Sequence, residues 1–82
     1  MVYFVALPFI HVDGGLVPGE AVECPHGAAA IRRAQAMASD KANAGAVAFS
    51  RSGDPNLGEF DNAVILKVFG EVPDDFGSPE SA

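Results

Sequence analysis

The sequence predicts a small α+β domain, a two-layer ββαββ arrangement with one helix packed on a four-stranded, mainly antiparallel sheet. Three observations carry that expectation. The stretch 26–44, HGAAAIRRAQAMASDKANA, is the only one with helical spacing and no Gly or Pro beyond its first turn. Two runs rich in β-branched and aromatic residues precede it and two follow it. Eighty-two residues make one small domain and are too few for two. Residues 1–70 are read as that domain, and residues 71–82, EVPDDFGSPESA, as an acidic tail carrying Pro and Ser, disordered at least from Gly77 to Ala82.

The first strand, Val2 to Val12, shows no polar alternation. Tyr3, Val5, Leu7 and Phe9 make one side and Val2, Phe4, Ala6, Pro8 and Ile10 the other, as in a strand covered on both faces. Pro8 has no amide proton, so a bulge or an unpaired flank is expected near Leu7 and Pro8. Asp13-Gly14-Gly15 and Pro18-Gly19 are turn formers, and a hairpin is read from the first strand to a second one that starts at Gly19 or Glu20 and ends at Cys24. Pro25 stops that strand because it cannot donate to a ladder.

The helix has no Ser, Thr, Asp or Asn at its start, so its entry is set only to within two or three residues. Ala30, Ile31, Ala34, Met37 and Ala38 form its apolar stripe, while Arg32, Arg33, Gln35, Ser39 and Asp40 lie away from it. A stripe made mostly of alanine permits close approach to a sheet but buries little area. Gly45 is expected to end the helix in a left-handed conformation. The third strand is Ala46 to Arg51, with Val47 and Phe49 on one face and the small residues Ala46, Ala48 and Ser50 on the other. A loop of turn formers, Ser52 to Gly58, leads to a fourth strand from Phe60 or Asn62 to Phe69, with Val64, Leu66 and Val68 on one face and Ile65, Lys67 and Phe69 on the other. The spatial order 2-1-3-4 keeps every neighbour antiparallel, although Pro8 argues against a central first strand.

One helix cannot cover both faces of such a sheet. If it packs on the face of Ala46 and Ala48, the opposite face carries Val47, Phe49, Ile65 and Phe69. Those four residues are the expected interface, covered by a second copy of the chain in a two-fold dimer or by another protein partner. The competing expectation is that Pro73 to Phe76, or the long first loop, folds over that face.

Charge and cysteine content narrow the function classes. Residues 1–53 balance four acids with four bases, whereas residues 54–82 carry seven acids and only Lys67, so the net charge of −6 lies in the last third. Five dispersed bases do not supply the phosphate neutralisation that nucleic acids need, nor an attraction to anionic membranes. The apolar run at the N-terminus lacks a basic segment and a small-residue cleavage site, and is about half the length that crosses a bilayer. With a single cysteine, Cys24, no internal disulfide is available, and the chain is read as cytoplasmic.

No cluster reaches the specificity of a catalytic, cofactor or metal signature. Cys24-Pro25-His26 places a thiol beside a helix start, but no third group completes a nucleophilic site, and a small cysteine buried at a strand end is the ordinary reading. His11, Cys24 and His26 lack zinc-ligand spacing. Asp54 to Asp61 departs from a calcium loop at Gly58 and has no acid at the twelfth position. Glu59 and Asp61 form a carboxylate pair with no sign of a pocket. The expectation is therefore a non-enzymatic interaction module without cofactor or metal; the alternative is a small-molecule binder or minor enzyme with a pocket at the sheet-helix or dimer seam.

Overall fold

The computed structural model describes residues 2–54, 59–60 and 63–73. Its elements follow in the order β1 (Val2–Val12), β2 (Gly15–Pro18), β3 (Val22–Cys24), α1 (Gly27–Ser39), β4 (Gly45–Asp54), β5 (Glu59–Phe60) and β6 (Val64–Gly70). One helix packs against a mostly antiparallel sheet, as the sequence predicts. The six strand segments occupy four positions: β2 and β3 both pair with β1, β1 pairs with β4, and β4 carries β6 and β5 on its other side. With β3 as the return strand before the helix, the order is β3-β1-β4-β6, so the first strand is central after all.

Pro8 is compatible with that position because of where its missing amide falls. β2 pairs with Phe9 to Val12 and β3 with Phe4 to Ala6, leaving Leu7 and Pro8 without a ladder partner on that side. The Pro8 carbonyl points into the gap and accepts the Gly19 amide at 2.8 Å, so the proline nitrogen faces the same break. The proline thereby divides one return strand into two. The return also starts earlier than the sequence reading placed it. Asp13 and Gly14, with φ of 53° and 84°, form a two-residue turn that sets Val12 opposite Gly15, the positive-φ geometry that suits the twist of a tight hairpin.

At the helix start the His26 imidazole does what a Ser or Asp ordinarily would: its Nδ1 accepts the Ala29 amide at 3.1 Å. The other end corrects the expectation for Gly45. The helix stops at Ser39 and is closed by Asp40, whose amide donates to the Met37 carbonyl, and by the Asn43 side chain, which donates to the same oxygen at 2.9 Å. Gly45 has no positive φ and instead opens β4.

The core is a seam of alanines. Ala30 and Ala34 of the helix and Ala6, Ala46 and Ala48 of the sheet are all completely buried, bordered by Phe4, Cys24, Leu66 and Phe69. Alanine on both sides lets the helix axis come close, so backbone packing replaces the bulk of large side chains.

The β6 alternation departs from the expected one. A bulge between Ala48 and Phe49 pairs Ala48 with Lys67 but Phe49 with Ile65, leaving Leu66 as the extra residue. Beyond the bulge the faces exchange: Phe69 joins the helix-side cluster with Leu66, and Val68 stands opposite Val47 on the helix-free face.

Candidate interaction surface

The helix-free face carries Tyr3, Val5, Leu7 and Phe9 from β1, with Arg51, Phe49, Val47 and Gly45 opposite them on β4. Its two ends differ. At the Phe9 end the chain folds back over the sheet. Gly70 adopts φ +70°, and the following residues lie so close to Gly45 that a Cβ there would stand 2.6 Å from the Phe69 carbonyl oxygen and nearer still to the backbone of Glu71. The Glu71 amide donates to the Ala44 carbonyl at 3.1 Å, and its Oε1 meets His11 Nε2 at 3.3 Å. Val72 and Pro73 then border, with Gly14, Gly15 and Leu16, an open depression of about 420 Å³. Glu71 to Pro73 thus form a strap across this end, beside Phe9, which is only 1 % exposed. The competing expectation names Pro73 to Phe76; of these only Pro73 is described, at the border of the depression, and residues 74–76 lie outside the described residues.

At the opposite end no strap is present among the described residues. Tyr3, Val5, Ala21, Glu23, Phe49 and Arg51 border a depression of about 370 Å³ that opens to solvent. The helix does not reach this end on the other side either: it begins where Gly27 approaches Leu66 and Phe4, and beyond it Val2 and Val64 are 56 % and 59 % exposed.

The four residues expected at an interface are therefore separated by the structure. Phe49 and Ile65 are half-buried neighbours on the helix-free face. Val47 shares that face but is completely buried between Leu7 and Val68. Phe69 packs on the helix side, with the Lys67 ammonium 5.9 Å from its ring centre. Sequence reading sets one face of the first strand beside these four residues without choosing which, and it misses Arg51 and Glu23 as members of the surface. The signal was present in the alternation of β1 and β4, but the cross-strand register that joins Tyr3 to Arg51 and Val5 to Glu23 is not readable from one strand at a time.

The candidate chemical groups are not assembled. Cys24 pairs with Phe4 on the helix side and directs its thiol to the Val22 carbonyl at 3.7 Å. His11 stands near the far end of β1, on the other face. His26 is engaged in the helix cap. Among the described residues no three His, Cys, Asp or Glu side chains approach one another as metal ligands would. The Asp54 to Asp61 segment falls mostly outside the described residues.

These features define a small α+β domain with an apolar depression at one end of its sheet. No helix among the described residues is long and apolar enough to cross a membrane. Comparison with protein-family models, with curated proteins and with solved structures found no match for the chain.

Proposed function

We propose that this chain is a small, cytoplasmic, non-enzymatic interaction module that self-associates through the Tyr3 end of its helix-free face. The observation that carries the reading is the depression formed by Tyr3, Val5 and Phe49, where apolar side chains remain accessible because neither the helix nor the strap extends over them. An accessible apolar patch on a small domain marks a contact surface more often than a catalytic one, which needs enclosed space and converging polar groups. The function calls for no cofactor or metal, and the acidic balance disfavours nucleic acid and anionic membranes as partners.

Phe49→Asp tests the proposal. The side chain is half-buried rather than sealed, so the variant should keep its circular dichroism spectrum and its cooperative unfolding. Its mass in sedimentation equilibrium should fall from that of a dimer to that of a monomer. A wild-type chain that is monomeric into the high micromolar range overturns the proposal.

A further inference from the structure

We infer that the two copies meet about a two-fold axis that sets Glu23 of each against Arg51 of the other; the inference rests on the self-association reading and specifies its geometry. The depression is bounded by one acid and one base on different strands: Glu23 of β3 lies opposite Val5, and Arg51 of β4 lies opposite Tyr3. Both are exposed, and both border the same apolar floor of Tyr3, Val5 and Phe49. With β1 between them, their register positions are two strand spacings and two residues apart, roughly 12 Å. The midpoint falls on β1 between Tyr3 and Val5.

A patch of this pattern is its own complement. An isologous interface brings each surface point against the one related to it by the axis. An axis running in the plane of contact, over that midpoint and perpendicular to the line from Glu23 to Arg51, places each carboxylate opposite a guanidinium and each apolar floor on its copy. Arg51 presents a planar fork that matches a carboxylate in two parallel hydrogen bonds. Among the described residues that border the depression the charges are one of each sign; the register pair of Asp54 and Glu59 stands further along β4, beyond Arg51. Charge pairing of this sort fixes register and excludes wrong partners while the apolar centre holds the contact.

The experiment is a charge exchange read by sedimentation equilibrium on the full chain, with circular dichroism to confirm folding. Glu23→Arg and Arg51→Glu each place like charges face to face twice per dimer, and each alone should raise the dimer dissociation constant by at least about tenfold. Mixed in equal amounts, the two variants regain both opposite-charge pairs, and a heterodimer of near wild-type affinity should form. Glu23→Gln and Arg51→Gln, which remove charge without adding repulsion, should weaken association by a smaller factor that shrinks as salt rises. A wild-type chain that dimerises while the mixture stays monomeric, or while the charge-exchange variants associate unchanged, overturns the Glu23–Arg51 pairing and leaves self-association standing. A wild-type chain that is monomeric at high micromolar concentration overturns both.

Discussion

The two ends of the sheet are built from similar residues and end in opposite states. At the Phe9 end the alanine helix covers one face and the Glu71 to Pro73 strap crosses the other, and the buried sheet residues, Ala6, Pro8 and Phe9 of β1 and residues 45–48 of β4, lie in that half or at its border. At the Tyr3 end Val2 and Val64 are exposed on the helix side, and Tyr3, Val5 and Phe49 border open space on the other. What separates the ends is backbone rather than hydrophobicity. Gly45 leaves room for a chain to pass, Gly70 supplies the positive φ that turns it there, and the 13-residue helix is too short to cover the whole length of β1.

The contrast breaks most sharply at Gly45. Gly45→Ala puts a methyl group into the backbone of the strap, and the strap must move away or the ladder must open. The expected cost is about 3 kcal/mol, seen as a large drop in the thermal midpoint. If Gly45→Ala unfolds at the wild-type temperature, the strap is not held against the sheet. A smaller effect belongs to the helix start. His26→Ala removes the acceptor for the Ala29 amide and should cost about 1 kcal/mol, a shift of roughly 4–8 °C in midpoint for a domain of this size. His26→Asn should recover most of the loss, because asparagine caps by the same geometry. The smallest effect falls at the outer clasp. His11 and Glu71 are 58 % and 68 % exposed, and Glu71→Gln should change stability by less than about 0.5 kcal/mol, diminishing further in salt. A larger loss on chemical denaturation would move the work of closing this end from the Gly45 crossing to the His11–Glu71 contact.

Much of this architecture is legible in the residues themselves. The helix body, the strand-rich flanks, the alanine seam and the antiparallel order follow from periodicity and from the pairing of small residues with small residues, both local properties. Pro8 was legible too, since a missing amide demands an unpaired flank, and the structure supplies one between β2 and β3. The failures share a physical origin. The β6 bulge depends on how that strand meets Ala48 and Phe49, and one extra residue reverses the side on which Val68 and Phe69 stand. Gly45 was read as a helix terminator because glycine after a helix ordinarily ends it, whereas here its value is the empty space over which Glu71 passes. The His26 cap escaped notice because imidazole is an uncommon cap, although its nitrogen lone pair meets the same requirement as a hydroxyl or carboxylate oxygen. For the surface, Phe49 and Ile65 were legible from strand alternation, but Glu23 and Arg51 become neighbours of one depression only through β1.

The central pairing of β1 with β4 sets the order in which this chain can acquire its structure. The β1–β2 turn is local and can close in microseconds, but the ladder that joins Phe9 to Gly45 and Val2 to Ser52 spans most of the described sequence. Until β4 is in place, the apolar edge of β1 has only its short companions on one side, and the helix has half a sheet to lean on. Any fragment ending before β4 therefore presents an unfinished, adhesive strand. Loop closure over that distance, rather than helix formation, is the step that governs how quickly the molecule becomes safe from aggregation.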